Sequence, residues 1–178
     1  MDRLASEMKA NVQVFYRNGA EIAKWFYNDD GTIKKEGKKI NGIVIMKDEN
    51  GDVQSEITYR GNSLNGPFKL YNPEGKLEEE GGFKNDELNG SYKMFYPSGA
   101  LKLEGVYKSG KRDGSFKLYY ENGGVQEEET YKNGILDGRV VQYFESGKSE
   151  VLAEYKKGKL IHLIQYGENG EVKKEEKY

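Results

Sequence analysis

Several short segments carry residue types that could bind a ligand. Ser146–Ser149 reads Ser-Gly-Lys-Ser, the end of a phosphate-binding loop, but the glycine required five residues before Gly147 is replaced by Gln142. Two acidic turns, Asn28–Gly31 and Asp48–Asp52, offer oxygen ligands for calcium, yet they lack the EF-hand order and its distant glutamate. Because both patterns are incomplete, turn formation explains these residues better than ligand binding.

Catalytic groups are equally sparse. His162 is the only histidine and the chain has no cysteine, so the sequence offers no structural zinc site. The acidic runs Glu78–Glu80 and Glu127–Glu129 suggest the paired carboxylates of a glycosidase. They recur at one repeat position and alternate with lysines on neighbouring strands, so cross-strand ion pairs explain them better. No nucleophile and base can be paired, and the sequence predicts neither enzyme activity nor a cofactor or metal.

Composition sets wide limits on the class of protein. The 178 residues suffice for one domain, and charged residues make up 33% with a net charge of -2. Lysine and glutamate alternate along the sequence, so no nucleic-acid partner is predicted. No apolar run reaches the ~20 residues of a membrane helix, and residues 1–16 lack the apolar region of a signal peptide. The compartment stays open between the cytoplasm and export with removal of a leader.

The strongest signal is an internal repeat of 24 residues. Counted from the start of each block, the second and eleventh positions are always glycine, and the nineteenth is always aromatic. The seventh position is aromatic in four blocks, and the sixteenth is glutamate in four. The five blocks align without a gap and start at Asn41, Asn65, Asn89, Asp113 and Asp137.

Two turn signals in each block predict a β-hairpin. A three-residue loop ends at the eleventh-position glycine, as in Pro97-Ser98-Gly99, and a two-residue turn follows the nineteenth position, as in Asn133-Gly134. Pairing across the loops predicts the contacts Tyr71–Leu77, Phe95–Leu101 and Tyr119–Val125. Pairing across the two-residue turns predicts the contacts Tyr59–Leu64, Phe83–Leu88, Tyr131–Leu136 and Tyr155–Leu160.

Alternation of side chains along a strand places the seventh, thirteenth and nineteenth positions on one face. From Leu64 to Tyr71, however, the number of steps is odd, so each repeat must contain an irregular position. We expect the irregularity at the second-position glycine, because a glycine within a strand often marks a bulge.

These signals predict an all-β fold, an elongated, single-layer, twisted antiparallel sheet of tandem β-hairpin repeats. Residues 1–15 are expected to be an N-terminal cap or a disordered segment. If residues 1–9 cover the first strand as a short helix, Asp2 is its N-cap. The repeat array spans residues 16–178, with units that start near residues 21, 41, 65, 89, 113, 137 and 161.

The pattern from Gly114 to Gly134, G-x-F-x-x-Y-x-x-x-G-x-V-x-x-E-x-x-Y-K-x-G, resembles the MORN-repeat variant of many bacterial proteins. The resemblance covers roughly residues 16–178 and implies a hairpin sheet that contacts proteins or membranes. Some related bacterial proteins are classed as antitoxin components of toxin–antitoxin systems. Others carry the label phosphatidylinositol-phosphate kinase, but the repeats leave no room for a kinase domain in this chain.

An exposed aromatic stripe is the predicted functional surface, because exposed apolar surface with a polar rim often marks a partner site. The sequence therefore predicts a non-catalytic scaffold that binds an unidentified protein partner through an aromatic-rich sheet face. The alternative is a module for glycan, cell-wall or peripheral lipid binding, and a homo-oligomer stays open. The predicted partner-binding residues are Tyr71, Phe95, Tyr119 and Tyr143 in the seventh column, and Phe83, Tyr107, Tyr131 and Tyr155 in the nineteenth.

Overall fold

The computed structural model describes residues 4–9, 12–18 and 20–178. Within those ranges the backbone forms β-strands and no helix, which confirms the all-β prediction. The chain divides into two compact units, Met1–Glu87 and Leu88–Tyr178. The strands of the first are β1 (Leu4–Lys9), β2 (Val12–Arg17), β3 (Ala20–Tyr27), β4 (Ile33–Gly37), β5 (Asn41–Lys47), β6 (Val53–Arg60), β7 (Ser63–Tyr71) and β8 (Leu77–Lys84). The second is built from β9 (Glu87–Phe95), β10 (Leu101–Lys108), β11 (Lys111–Arg112), β12 (Gly114–Tyr119), β13 (Val125–Lys132), β14 (Ile135–Tyr143), β15 (Ser149–Lys156), β16 (Lys159–Tyr166) and β17 (Val172–Lys177).

The hairpin turns form where the sequence places them. Both central residues of a two-residue turn have positive φ, as at Asn133 (52°) and Gly134 (81°), the geometry of a type I′ turn. The register confirms the predicted pairs Tyr71–Leu77, Phe95–Leu101, Tyr119–Val125, Tyr59–Leu64, Tyr131–Leu136 and Tyr155–Leu160. The seventh predicted pair, Phe83 with Leu88, spans the boundary between the two units and stays a prediction.

Hydrogen bonds tie each repeat to the one before it. The second residue of a two-residue turn donates its N–H to the carbonyl of the preceding block's last residue, as Gly134 does to Arg112 at 2.8 Å. In four of the five blocks the side-chain oxygen of the first-position Asn or Asp accepts a backbone N–H from the turn of its own block. Asp113 Oδ2, for example, accepts the N–H of Asn133 at 3.1 Å. The polar first position is therefore explained by turn formation.

The irregularity predicted at the second-position glycine is confirmed in both units. Thr58 of β6 lies between two regular pairs and opposes three residues of β7, 65–67. In the same way, Thr130 of β13 opposes three residues of β14, 137–139. Gly66 and Gly138 adopt φ values of 128° and 141° there. A Cβ on Gly66 would lie 2.8 Å from Cγ2 of Thr58, so the chain has room only for glycine.

A second irregularity, which the alternation argument missed, lies at the fourteenth position of each block. The register between β9 and β10 skips Lys102, because Leu101 and Leu103 pair with the adjacent residues Phe95 and Met94. The register between β12 and β13 skips the equivalent residue. One extra residue turns all following side chains to the other face. The seventh and nineteenth columns therefore lie on opposite faces, and the prediction of a shared face is wrong.

The N-terminal strands depart from the repeat. β1 pairs antiparallel with β2 and parallel with β5, where Leu4 lies opposite Val44. The helix expected over residues 1–9 is wrong for Leu4–Lys9, which are extended, and Asp2 lies outside the described residues. β2 runs across the boundary drawn between residues 15 and 16, and that division of the chain stays a prediction.

The first unit encloses an aromatic core. The Trp25 ring centroid lies 4.7 Å from that of Phe15 and 5.4 Å from that of Tyr59, and all three side chains are buried. Gln13 is buried beside them, and its side-chain oxygen accepts a hydrogen bond from Tyr27 Oη at 2.8 Å. Because the amide is hydrogen-bonded, its burial avoids the cost of an unpaired polar group.

Candidate interaction surfaces

Four aromatic side chains of the second unit lie in a row across β9, β10, β12 and β13. The Tyr107 ring centroid lies 5.3 Å from that of Tyr92 and 5.3 Å from that of Phe116, and the Phe116 centroid lies 5.6 Å from that of Tyr131. Each pair meets edge to face, an arrangement that the ring quadrupoles favour. We name the side of the second unit that carries these four rings the aromatic face.

Glycines lie opposite or beneath the residues that carry these rings. The second-position glycine pairs with the nineteenth-position aromatic across the strands, as Gly90 does with Tyr107 and Gly114 with Tyr131. A Cβ on Gly105 would lie only 2.4 Å from Cδ1 and Cε1 of Phe116, so that ring rests on the Gly105 backbone. The Phe116 side chain thus covers the bare backbone of Gly105.

Arg112 lies among these rings at the twenty-fourth position, where the other four blocks have leucine. Its guanidinium is 4.8 Å from the ring centroid of Phe116 and 5.2 Å from that of Tyr131. Nη1 donates to Tyr131 Oη at 3.0 Å and to Oε2 of Glu129 at 3.3 Å. Burial lowers the pKa of Arg112, but hydrogen bonds with Tyr107 and Tyr131 outweigh that effect and hold the pKa above its ordinary value. The charge is therefore stacked, hydrogen-bonded and fixed in place.

The opposite side of the second unit, which we name the charged face, carries ion pairs and hydroxyl–carboxylate bonds. Lys117 Nζ lies 3.1 Å from Oε1 of Glu128, and Tyr119 Oη donates to Oε1 of Glu104 at 2.7 Å. The first unit repeats the second contact, because Tyr71 Oη lies 3.4 Å from Oε1 of Glu56. These contacts confirm cross-strand pairing as the structural role of the glutamate column.

A shallow groove of about 220 Å³ also opens on the charged face, where small side chains leave space between lysines. Its lining includes Ser91, Val106 and Ser115, with Lys93 and Lys117 beside them. Cross-strand carboxylates neutralise these lysines, since Glu104 pairs with Lys93 in the register and Glu128 forms an ion pair with Lys117. The groove therefore has no net charge that would select an anion or a cation.

Replacing Tyr119 with phenylalanine should alter how stability depends on alkaline pH. Burial, the hydrogen bond to Glu104 and the charge of Glu128 raise the pKa of Tyr119 to about 12. The ordinary value is about 10, so the folded state holds the proton more tightly. That stabilisation is complete below about pH 10 and is lost as the pH rises through about 12.

We expect Tyr119→Phe to lower the free energy of unfolding by about 1 kcal/mol at neutral pH, because the substitution removes the hydroxyl that donates to Glu104. The deficit should shrink between about pH 10 and 12, where the parent protein loses its own contribution. Urea denaturation of both proteins across this range measures the difference. A deficit that stays constant over the whole range would contradict the assignment.

The structure divides the predicted binding residues of the second unit between its two faces. Phe116 and Tyr119 are three residues apart in β12, so their side chains point to opposite sides. Tyr107 and Tyr131 contact Phe116 and belong to the aromatic face. Tyr155 pairs with Gly138, just as Tyr131 pairs with Gly114, and therefore also lies on the aromatic face. Tyr119 and Tyr143 lie on the charged face, where burial and the charge of Glu128 raise the pKa of both. Phe95 lies on the same face, because it is two residues from Lys93 in β9.

The two remaining predicted binding residues lie in the first unit. Phe83 packs against Phe68 with ring centroids 4.7 Å apart, and Tyr71 contacts Glu56. These contacts within the chain do not test partner binding, and the roles of all eight predicted residues in it stay predictions.

Sequence reasoning missed the most buried column, which is the fourth position of each block. Phe116 is 2% exposed and Phe68 is 4% exposed, whereas the aromatic side chains of the seventh position are half-buried. The signal was present, because the fourth position is apolar or aromatic in all five blocks. Its residues are Val44, Phe68, Tyr92, Phe116 and Val140.

The remaining motifs form turns and strand contacts. Gly147 N–H donates to the Phe144 carbonyl at 2.8 Å in a hairpin loop, and Asp48 Oδ1 accepts the N–H of Asp52 at 2.9 Å. His162 Nε2 lies 2.9 Å from Oε1 of Glu175 on the next strand. Among the described residues, no three His, Asp or Glu side chains converge into a metal site. Nor does that part of the chain contain a helix long and apolar enough to cross a membrane.

Comparison with known proteins relates the chain to a repeat family. The family profile described as MORN repeat variant matches residues 40–60, 64–85, 88–109, 112–133 and 136–157. Each matched segment starts one residue before a block and ends at, or one residue before, the first residue of that block's two-residue turn, so it contains one complete hairpin with its fourth-position residue. No match to the chain is found among curated protein sequences.

Proposed function

Because the chain belongs to the MORN repeat variant family, we propose that it is a non-catalytic scaffold that binds a protein partner through the aromatic face. MORN repeats in general are modules for protein or lipid interaction. A protein partner suits this chain because the face combines tyrosine, phenylalanine and arginine, which are enriched where protein interfaces bind most strongly.

Arg112 is the observation that carries the proposal. The other blocks complete their hairpins with leucine at this position, so the repeat does not require an arginine for folding. The Arg112 side chain is 37% exposed and that of Glu129 is 25% exposed, which leaves both charges accessible among the rings. A partner that covers the aromatic face would contact an ordered cation that lies among aromatic rings.

Arg112→Leu tests the proposal, because leucine restores the residue that the other blocks use and preserves the hairpin. The parent and the variant are used as baits in native cell extract, and captured proteins are identified by mass spectrometry. We expect one protein to be captured by the parent and lost with Arg112→Leu. An antitoxin role, which the family resemblance implies, would make that protein a toxin.

Lys117→Gln provides the matched control, since it removes one positive charge from the charged face. This variant should capture the partner as the parent does. Equal capture by the parent and Arg112→Leu, or loss only with Lys117→Gln, would move binding away from the aromatic face. Circular dichroism of all three proteins shows that each bait is folded.

A further inference from the structure

The two-residue turns of the second unit carry a row of exposed lysines along one edge of the sheet. All six side chains are solvent-exposed, and no carboxylate lies within ion-pair distance of any of them in the part of the chain that the structure describes. We name this row the lysine edge. Its members are Lys108, Lys111, Lys132, Lys156, Lys157 and Lys159.

The first-position aspartates of the last two blocks lie beside these turns, and the turns themselves use them. Asp113 accepts the N–H of Asn133 at 3.1 Å, and Asp137 accepts the N–H of Lys157 at 3.1 Å. Two acids among six lysines leave the lysine edge with an excess of positive charge. The large apolar side chain of Ile135, which is 52% exposed, projects from the same edge.

The three-residue loops form the opposite edge of the same strands, and their charge is reversed. Glu121, Glu145, Glu168 and Glu171 are all exposed there. Two lysines lie among them: Lys148 Nζ donates to the carbonyl oxygen of Glu168 at 2.8 Å, and the Lys173 side chain lies against the loop glycine Gly167. We name this row of four carboxylates the glutamate edge.

Both edges have the same spacing because the same strands produce it. Successive two-residue turns are separated by two strands, about 9.6 Å, and so are successive loops. A surface with the opposite charge and the matching period is therefore present on the protein itself. A soluble polyanion or a bilayer matches the sign of the lysine edge but not its period.

We propose that the lysine edge of one copy binds the glutamate edge of a second copy, so that two sheets lie side by side. Because the contact joins two different edges, each pair of copies keeps one free lysine edge and one free glutamate edge, to which further copies can bind. Exposed ion pairs contribute little individually and are screened by salt, so the association is weak and depends on ionic strength. The aromatic face takes no part in it, so this inference and the proposed function can fail independently.

Sedimentation velocity of the full chain tests the association directly. In about 10 mM salt, where the Debye length is about 30 Å, the average sedimentation coefficient should rise with protein concentration. In about 1 M salt, where that length is about 3 Å, the coefficient should stay at the monomer value. A monomer at low salt at every concentration would overturn the proposal, as would association that persists in high salt.

Charge-reversed variants identify the edges. Lys132→Glu/Lys156→Glu removes the excess positive charge of the lysine edge, and Glu121→Lys/Glu145→Lys makes the glutamate edge basic. Either variant alone should weaken association about tenfold or more, because oppositely charged edges no longer meet. An equal mixture should associate again, since the acidic edge of one variant meets the basic edge of the other. A mixture that stays monomeric overturns the proposal.

Lys148→Glu separates edge position from net charge. It carries the same charge change as Lys132→Glu but places the new carboxylate on the glutamate edge. The proposal predicts stronger association with Lys148→Glu and weaker association with Lys132→Glu, whereas a simple net-charge effect shifts both equally and contradicts it. If the parent is monomeric at low salt but floats with phosphatidylserine vesicles, and Lys132→Glu/Lys156→Glu does not, the edge binds membrane and the proposal is wrong.

Discussion

Replacing Phe116 with alanine is expected to lower the free energy of unfolding by about 3–5 kcal/mol. The side chain is 2% exposed and lies on the fourth position of its block. Its ring contacts those of Tyr107 and Tyr131 edge to face and lies beneath the Arg112 guanidinium. Alanine would leave a cavity at the centre of the aromatic face and would remove these aromatic contacts together.

Phe95→Ala is the matched control for this loss. It makes the same chemical change in the same unit, but Phe95 is half-buried on the charged face. We expect it to cost about 1 kcal/mol, the usual size for a site without a large cavity. Urea denaturation followed by circular dichroism measures both variants. Equal losses would show that the aromatic face is not the main stabilising side of the second unit.

The hairpins could be predicted from the sequence because their causes are local. Asn133-Gly134 supplies the positive φ angles of a type I′ turn, and the turn fixes the pairing of Tyr131 with Leu136. The same holds for the loop glycines and the pairs around them. These contacts join residues only a few positions apart, so turn chemistry alone determines them.

The division between the faces could not be predicted by the same rule. The fourteenth-position bulge has no glycine to mark it, since the residues skipped there include Lys102 and Gln126. Counting by twos across the bulge therefore assigned Tyr107 and Tyr119 to one face. The bulge depends on how two strands meet after the loop, which is a property of the pair and not of one segment.

Charge segregation was hidden for a topological reason. Lysines and glutamates alternate along the chain, and on that basis no basic surface was predicted. Folding the repeat into hairpins collects residues 24 positions apart, such as Lys108, Lys132 and Lys156, at one edge. The parallel pairing of β1 with β5 was equally inaccessible, because it joins segments about forty residues apart and no local turn specifies it.

Gly105→Ala should destabilise the second unit by about 1–3 kcal/mol through overpacking. The new methyl group would lie 2.4 Å from two ring carbons of Phe116, so the ring must leave its position between the tyrosines. Gly105 does not have a positive φ, so the expected loss comes from this clash and not from backbone strain. Gly124→Ala is the control, because its methyl group would meet the exposed Asn122 side chain at 3.1 Å and Tyr120 Cδ2 at an ordinary 3.9 Å, and it should change stability by less than about 0.5 kcal/mol.

A double-mutant cycle isolates the contact between the glycine and the ring. In the Phe116→Ala background the ring is absent, so Gly105→Ala should cost almost nothing, and the two losses should be strongly non-additive. Urea midpoints of the parent, the two single variants and the double variant complete the cycle. If Gly105→Ala costs the same in both backgrounds, the aromatic ring is not what requires glycine at this position, and the arrangement of the aromatic face described above would be wrong at its centre.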